Sequence, residues 1–386
     1  MTDLANWLAN DVPHDTVSNL FNAFCRQLVI SGVPVWRAAL GLEGLHPEVS
    51  GWQHVWMQDS LTLEATERAT VQTSQSYLTS PTRAVDESNT PFRRRLTVPA
   101  YDMPLLEALR LDGATDYIMY PLPFLDRGRT AVISFATRQP HGFSEETLRE
   151  LFGEVNRLSP YLERHVLKHI AIDLLDTYVG PKAGRRIIEG RVERGAFDFI
   201  EAAILFADLR GFTHLSEHAP IPKVLDHLND WFGLVGDVVE SHGGEILKFI
   251  GDAVLTIFPT TVGRNREGAC HDALMAAREI SHLNHVGDIS RASVGKPAVL
   301  QRMALHVGEV AYGNIGAARR LDFTVIGPAV NRAGRLLELA KRVEKEIVVS
   351  QSLANEIHEP IAVLGKFRLR GLAQRYRVFT VPECDG

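Results

Sequence analysis

Residues 245–258 have the sequence EILKFIGDAVLTIF, and this stretch decides the fold. It contains two apolar segments, Glu245 to Phe249 and Val254 to Phe258, which are separated only by Ile250-Gly251-Asp252-Ala253. Such a short connection between two strand-like segments is typical of a β-hairpin. The sequence therefore predicts two neighbouring antiparallel strands with Asp252 in the turn between them.

The segments on either side of the hairpin extend this pattern. Upstream, the residue spacing predicts a strand over Glu201 to Ala207 and a helix over Pro220 to Ser241. Downstream, it predicts a helix from Glu267 to about His285, strands over Gln301 to Ala311 and Phe323 to Ile326, and a helix over Pro328 to Lys341. This order begins β-α-β-β-α-β, which predicts an α+β, ferredoxin-like arrangement with the helices on one face of the sheet.

Two aspartates lie at the ends of these strands. Asp208 directly follows the apolar strand 201–207, and Asp252 lies in the hairpin turn. If the hairpin lies beside the first strand, as the topology requires, both carboxylates are at one end of the sheet. Two hard oxygen donors there suit a pair of Mg²⁺ or Mn²⁺ ions about 3.5–4 Å apart, as in phosphoryl displacement. Each aspartate taken alone is more typical of an ordinary turn residue.

The segment after Asp208 has features of a phosphate-binding loop. Gly211 permits close approach of the backbone, and the amides from Leu209 to Thr213 lie at a predicted helix start, where an anion is favoured. Phe212 belongs to the same segment, and Thr213 adds a hydroxyl group.

Three further polar residues stand out downstream. Asn331 and Arg335 are four positions apart on a predicted helix and therefore share one face. Arg335 offers a planar donor fork for a phosphate, although a single helical arginine is more often a solvated charge. Lys248 interrupts an apolar strand, either as a charge that protects a sheet edge or as a donor to a purine ring.

Together these residues form three motifs. The motifs are FADLRGFT (206–213), KFIGDA (248–253) and FTVIGPAVNRAGR (323–335). In this order they resemble the class III adenylyl cyclases, over roughly residues 201 to 381. The resemblance implies that the chain converts ATP to cyclic AMP and pyrophosphate.

The resemblance also implies a role for each landmark residue. Asp208 and Asp252 match the aspartates that bind two divalent ions per active site, Mg²⁺ or Mn²⁺, with the Leu209 carbonyl as a further ligand. Lys248 and Thr324 match the positions that select the purine, where guanylyl cyclases typically have Glu and Cys. A lysine donor also suits N1 of adenine, which is an acceptor.

The remaining substrate contacts follow from the same resemblance. Asn331 and Arg335 match the pair that orients the ribose and stabilises charge on the reacting phosphate. Phe212 and Thr213 belong to the substrate-binding loop. Arg370 lies near the position where many relatives have a lysine that meets the terminal phosphates. In the family the metal aspartates and the Asn–Arg pair come from opposite subunits, which implies a homodimer with active sites at the subunit interface.

The amino-terminal half is expected to form a separate sensor domain. Predicted strands over Asp116 to Pro121 and Thr130 to Ala136, followed by a long helix that Ser144 caps, resemble the end of a GAF-type α/β domain. We expect this domain over residues 1–158, a helical connector over 159–200 and the catalytic domain over 201–386. Its signal would be an unknown small molecule or protein; a folded domain that dimerises without a ligand is the alternative.

The remaining amino-terminal segments are less regular. Residues 14–31 have helical spacing with Asp15 or Thr16 as a candidate cap, and residues 35–42 predict a strand. Residues 104–111 predict a short helix. The polar stretch from Leu63 to Thr90 has weak periodicity and predicts irregular or mobile structure.

Composition excludes several classes of function. The 386 residues have a formal charge of −6, which provides no general attraction to nucleic acid or an anionic membrane. We find no run of about 18 apolar residues and no basic, apolar leader, so we expect a protein without membrane insertion. The 3 cysteines are widely spaced and form no CxxC pair, which is typical of a reducing cytoplasm.

Three alternatives to an adenylate cyclase were considered. A guanylate cyclase is disfavoured by Lys248. The segment Gly243 to Leu247 is faintly similar to the GGDEF signature of diguanylate cyclases. A diguanylate cyclase is disfavoured because this segment precedes the hairpin turn at Ile250 to Ala253, so the signature is in the wrong place. A catalytically silent nucleotide-binding module would be expected to lack at least one of the polar landmarks, and all of them are present: Asp208, Asp252, Asn331 and Arg335.

Overall fold

The computed structural model describes residue 7 and residues 16–43, 49–57, 60–67, 74–125, 131–293 and 300–382. The chain forms two compact units, Met1–Tyr178 and Val179–Gly386, here called the amino-terminal and carboxy-terminal units.

The amino-terminal unit contains a six-stranded antiparallel sheet of order β3-β2-β1-β6-β5-β4. Its strands are β1 (Arg37–Glu43), β2 (Val49–Met57), β3 (Ser60–Glu67), β4 (Phe92–Arg95), β5 (Asp116–Pro121) and β6 (Ala131–Thr137). The helices of this part of the chain are α1 (Val17–Ile30), α2 (Gln75–Leu78), α3 (Pro81–Ser88), α4 (Pro104–Leu111) and α5 (Glu145–Val179).

Alternation along the strands gives this sheet two apolar faces. In β5, Ile118 and Tyr120 pack with α1 and α5, whereas Tyr117 and Met119 pack with α3 and α4. Successive side chains of a strand point to opposite faces, so a strand that is apolar throughout must be covered on both sides. The structure covers both faces with helices.

Helix α5 extends from the amino-terminal unit into the segment expected to be a connector. The Ser144 hydroxyl accepts the Thr147 N–H at 3.1 Å, as predicted for the cap, and the helix continues through Pro160 to Val179. Its second half packs into the core of the amino-terminal unit through Leu162, Val166 and Ile170. The unit therefore extends to Tyr178, beyond the expected limit at residue 158, because apolar residues in the second half of α5 are buried in the core of this unit.

Two other amino-terminal expectations have clear outcomes. The Thr16 hydroxyl accepts a hydrogen bond from the Asn19 N–H at 3.2 Å and caps α1. Thr16 is thus the cap of the two candidates that the sequence offered. The prediction of irregular structure between Leu63 and Thr90 was wrong for the described residues, because this stretch contains the end of β3 and both α2 and α3. The helices are short and capped by Ser74 and Ser80, so they show little periodicity.

The carboxy-terminal unit contains an eight-stranded sheet. Its strands are β7 (Phe197–Leu209), β8 (Glu245–Ile250), β9 (Ala253–Pro259), β10 (Gln301–Ala317), β11 (Arg320–Ile326), β12 (Ile347–Ser350), β13 (Ala362–Arg368) and β14 (Arg375–Thr380). Its helices are α6 (Pro181–Ile188), α7 (Phe212–His218), α8 (Ile221–Ser241), α9 (Arg266–Ser293), α10 (Pro328–Val343) and α11 (Gln351–Ala354).

Strand β7 lies at the centre of this sheet. The order is β13-β14-β12-β10-β7-β9-β8, and β11 forms a hairpin with β10. Strand β7 is antiparallel to both neighbours, with Asp208 opposite Arg302 of β10 and Ala207 opposite Val254 of β9. The predicted hairpin is confirmed, with Ile250 paired to Ala253 around the turn. The topology therefore brings Asp208 and Asp252 to the same end of the sheet.

Helices cover both faces of this sheet, not one face as expected. Ala203, Leu205 and Ala207 of β7 pack with α8 and α9, whereas Ala202 and Ile204 pack with α10. The reason is the unbroken apolar run of β7, which leaves no face that water can solvate. Among the described residues, we find no helix with the length and apolar character needed to cross a membrane.

Candidate active site

The two predicted metal-binding aspartates lie together at the end of β7 and the β8–β9 turn. Asp208 is the penultimate residue of β7 and is only 4% exposed, because the strand is covered on both faces. Asp252 is half-buried, and its carbonyl accepts a hydrogen bond from the Trp231 indole at 3.1 Å. This bond ties the turn to the buried side of α8.

Burial and mutual repulsion both act on the Asp252 carboxyl group. The pKa of Asp252 is raised, first because the carboxyl is partly buried and then because the Asp208 carboxylate repels its negative charge. The ammonium of Lys341 opposes this effect. Two carboxylates in mutual repulsion favour the binding of a cation.

The donor set fits hard divalent cations. The Asp208 Oδ2 atom is buried and accepts no hydrogen bond within the described part of the chain. Its charge is balanced by the Lys341 ammonium at 2.5 Å. Leu209, the last residue of β7, adds a backbone carbonyl beside Asp208. Buried carboxylate and carbonyl oxygens are the ligands that Mg²⁺ and Mn²⁺ prefer. Within the described ranges no third acidic, His or Cys side chain completes a metal cluster, so other ligands would come from the substrate or water.

The segment after Leu209 turns sharply into a helix. Gly211 has a φ of 81°, in the left-handed region that glycine adopts without strain, and α7 begins at the next residue. Phe212 is half-buried and packs against the core, whereas Thr213 is exposed. Phe212 and Thr213 thus lie four and five positions after Asp208, in the first turn of α7, and Phe212 anchors this helix start to the core.

The two residues predicted to select the purine lie on β8 and β11. The Lys248 ammonium is 2.5 Å from Asp322 Oδ2, and both side chains are about half exposed, at 45% and 46%. Asp322 and Thr324 are two positions apart on β11 and therefore share a face. Strand β11 pairs with β10, with Thr324 opposite Gly313. The ion pair thus brings Lys248 to the strand that contains Thr324.

Asn331 and Arg335 lie on the exposed side of α10. Asn331 is exposed, and the Arg335 guanidinium pairs with Glu338 at 2.5 Å. The opposite side of the helix, including Ala333 and Leu336, is buried against the sheet. The spacing rule that placed both residues on one face is therefore consistent with the structure.

This pair is distant from the carboxylates within one chain. Lys341, the residue that contacts Asp208, lies ten positions after Asn331 on α10. At 1.5 Å per residue this separation is about 15 Å along the helix axis, and Arg335, six positions before Lys341, is about 9 Å from it. A single carboxy-terminal unit therefore presents the two halves of the predicted site at different places.

Arg370 is exposed in the turn between β13 and β14. Its neighbour Leu369 is buried, and Gly371 has a φ of 79°, so the backbone of the turn is anchored while the guanidinium is free to point into solvent. No contact joins Arg370 to the carboxylate pair within the described residues.

The sequence reasoning missed two charged residues of this site. Asp322 could have been found, because it precedes Thr324 by two positions on the same strand and so shares its face. Lys341 could not, because its contact joins α10 to β7 across more than a hundred residues of sequence.

Comparison with known proteins gives the family of this unit. Residues 196–379 match the model of the adenylate and guanylate cyclase catalytic domain. This range contains β7 to β14 almost completely, including each predicted site residue.

Individual relatives agree with this match. An adenylate cyclase of Anabaena cylindrica is 31% identical over 169 residues, which are 44% of this chain and 33% of the relative. Adenylate cyclase 1 of Rhizobium meliloti is 31% identical over 176 residues, or 45% of this chain and 25% of the relative. The chain thus spans about a third or less of the length of these relatives.

One solved structure is similar to about half of this chain. The adenylyl cyclase CyaB from P. aeruginosa is 25% identical with a TM-score of 0.44, and the match covers 49% of this chain and 96% of that one. The sequence motifs, the central position of β7 and the family match all concern one unit. Residues 196–379 of the carboxy-terminal unit belong to the class III adenylate and guanylate cyclase catalytic domain family.

Proposed function

We propose that the chain is an adenylate cyclase, which converts ATP to 3′,5′-cyclic AMP and pyrophosphate. The observation that supports this most directly is that Asp208 and Asp252 lie at the same end of the sheet, where partial burial and then repulsion by Asp208 raise the pKa of Asp252. A like-charged carboxylate pair is costly unless it serves cation binding. Adenylate cyclases among the relatives support the same reaction class.

Two divalent cations, Mg²⁺ or Mn²⁺, would be held by Asp208, Asp252 and the Leu209 carbonyl. When bound, they would supply charge neutralisation at the phosphates and lower the pKa of the ribose 3′-hydroxyl. The loop from Gly211 to Thr213 would receive the phosphates with its backbone amides, and Arg370 would contact the terminal ones.

The base would be recognised by Lys248 and Thr324. The ammonium of Lys248 donates to N1 of adenine, an acceptor, whereas N1 of guanine has a proton and repels the same donor. Asp322 supports this role because it orients Lys248 from β11. This arrangement favours ATP over GTP.

The reaction is an in-line displacement within one nucleotide. The 3′-oxygen loses its proton to water and forms a bond to the α-phosphorus, while the bond from that phosphorus to the bridging oxygen breaks and pyrophosphate leaves. Asn331 orients the ribose, and Arg335 stabilises the charge that develops on the α-phosphate, typically by about 3–4 kcal/mol.

A homodimer would complete the site. On α10, Asn331 is exposed and Arg335 is half-buried, and they lie about 15 Å and about 9 Å, respectively, along the helix from the residue that contacts Asp208. A second copy that presents its own exposed face of α10 to the carboxylate pair would bring both halves together. Because each chain has both halves, two such sites would form per dimer.

The amino-terminal unit would regulate this reaction. We propose a GAF-like sensor, expected over residues 1–158, joined to the catalytic domain (201–386) by the connecting helices. Its covered, six-stranded antiparallel sheet is compatible with this role. A small molecule or protein that binds there would act through α5, whose last residue is Val179.

The experiment is an assay of the purified full chain with ATP or GTP and Mg²⁺ or Mn²⁺, with the products identified by mass spectrometry. Cyclic AMP and pyrophosphate in equal amounts are expected, with ATP preferred. Asp208→Asn and Asp252→Asn should each lower the rate by at least roughly a hundredfold. Folding of each variant is checked by circular dichroism. A preference for GTP would overturn the base assignment, and full activity of either variant would overturn the metal assignment.

A further inference from the structure

A lysine outside the three sequence motifs contacts the candidate metal site. The Lys341 ammonium lies 2.5 Å from Asp208 Oδ2, and the two side chains are 48% and 5% exposed, respectively. Asp208 is fixed within the central strand, whereas Lys341 lies in the last turn of α10 with about half of its side chain exposed to solvent. The lysine can therefore leave this contact for water, and the aspartate cannot.

The same ammonium acts on both carboxylates. It opposes the repulsion that Asp208 exerts on Asp252. Asp208 Oδ2 accepts no hydrogen bond within the described part of the chain, so the ion pair is the compensation for a buried charge. A buried carboxylate left without such compensation is strongly destabilising.

We propose that Lys341 is an intramolecular competitor of the metal, so that its ammonium and a divalent cation are alternative partners of the Asp208 carboxylate. This inference rests on the proposed metal-binding role of Asp208. A cation that binds Oδ2 must displace the ammonium, because two positive charges in direct contact with one oxygen repel each other. Lys341 therefore lowers the affinity for the metal and preserves the carboxylate pair whenever the metal leaves.

Calorimetric titration of the full chain with Mn²⁺ alone, without nucleotide, tests this competition. A positive charge in direct contact with a carboxylate lowers its affinity for a proton by about ten- to a thousandfold. We expect the Lys341 ammonium to lower the affinity of Asp208 for a divalent ion by at least about tenfold. Lys341→Met should therefore bind Mn²⁺ at least roughly tenfold more tightly than the wild type. Lys341→Arg keeps the charge and should bind as the wild type does.

Arg342→Met is the matched control, because it removes the same charge from the next residue of α10, which is exposed. We expect less than about a threefold change in Mn²⁺ affinity for this variant, since exposed charges beyond direct contact are screened. An equal gain in both variants would show a general effect of net charge and would overturn the inference.

Thermal unfolding in EDTA provides a second readout that does not depend on activity. Lys341→Met should unfold at a lower temperature than the wild type, and excess Mn²⁺ should raise its melting temperature more than that of the wild type. Lys341→Gln, which retains a hydrogen-bond donor, replaces Lys341→Met if that variant does not fold. Unchanged melting temperatures in EDTA together with unchanged Mn²⁺ affinity would refute the competition.

Asp208→Asn separates this inference from the proposed function. If Asp208→Asn binds Mn²⁺ as the wild type does, the metal assignment itself is wrong. If Asp208→Asn loses affinity while Lys341→Met binds as the wild type does, the metal assignment stands and the role of Lys341 is wrong.

Discussion

Lys248 of β8 and Asp322 of β11 form an ion pair, with the ammonium 2.5 Å from Oδ2. The pair lowers the pKa of Asp322, chiefly through the hydrogen bond from Lys248. It joins two strands that are not neighbours in the hydrogen-bonded order of the sheet. Lys248 is therefore held in one direction before any nucleotide binds.

This relationship makes Asp322 a positioning residue. Asp322→Ala should raise the KM for ATP about fivefold or more with a smaller effect on kcat, because the lysine loses its preferred direction toward the base. The free energy of unfolding should change by less than about 1 kcal/mol, since both side chains are about half exposed. Steady-state kinetics and urea unfolding measure the two effects. An unchanged KM would show that Lys248 needs no orientation by Asp322.

Substrate choice should respond to three residues together. Lys248→Glu with Thr324→Cys should lower the ratio of kcat/KM for ATP to that for GTP by at least roughly tenfold, or about 1.4 kcal/mol. The new carboxylate would lie beside Asp322, however, and repel it. Adding Asp322→Asn should therefore raise the activity of the double variant with GTP. Competition between ATP and GTP in one reaction measures the ratio, and a ratio equal to that of the wild type contradicts the assignment.

Complementation tests whether the site is shared between chains. Asp208→Ala and Arg335→Ala should each be inactive alone, because each homodimer has two defective sites. A mixture should recover up to about a quarter of the wild-type rate, since half of the dimers are mixed and each has one intact site. Differently tagged chains purified as mixed dimers make the measurement quantitative. Mixed dimers without activity would place both halves of the site within one chain.

The stability of the carboxy-terminal unit should depend on His306. This side chain is 4% exposed in β10, and burial lowers its pKa to about 4, with smaller effects from Arg332 and Arg266. The unfolded chain binds the proton with an ordinary pKa of about 6.5. The stability from neutral His306 is thus complete above pH 6.5 and is lost as the pH falls to 4, by about 3 kcal/mol.

His306→Gln should remove this loss, because glutamine can still bond to Ser352 but does not titrate. Urea unfolding of the carboxy-terminal unit from pH 7 to 4 should show a shallower dependence than in the wild type. His358→Gln is the control, since that side chain is 89% exposed. If the free energy of unfolding has the same pH dependence in His306→Gln and the wild type, His306 is excluded as the titrating group.

The stability of the amino-terminal unit should depend on Asp116, whose side chain is completely buried. Its Oδ2 accepts hydrogen bonds from the Arg93 guanidinium at 2.9 Å and from the Phe143 N–H at 3.0 Å. The second bond joins β5 to the residues just before α5. Asp116→Ala should cost about 3–5 kcal/mol, because it leaves partly buried donors unpaired. Asp102→Ala breaks the exposed pair with Arg94 and should have a much smaller effect on stability, because exposed ion pairs are screened by solvent. If urea unfolding shows a similar decrease in the free energy of unfolding for Asp116→Ala and Asp102→Ala, the role of Asp116 is contradicted.

The sequence by itself determined the local elements with clear periodicity and the identity of the chemical groups. The turn at Gly251-Asp252 and the apolar run of β7 depend on short-range spacing, and the structure reproduces both. The motifs around Asp208 and Arg335 gave the family for the same reason, because each is a contiguous segment. The predicted substrate and metal roles of these residues follow from chemistry that is local to each side chain.

Only the tertiary structure decided which groups meet. The contact of Lys341 with Asp208, and that of Lys248 with Asp322, join elements that are far apart in the sequence, so no periodicity reports them. The limit of the amino-terminal unit at Tyr178 was decided in the same way, since the stripe of α5 has equal spacing whether it packs on its own sheet or on a partner. Periodicity shows that a face is apolar, and only packing shows what covers it.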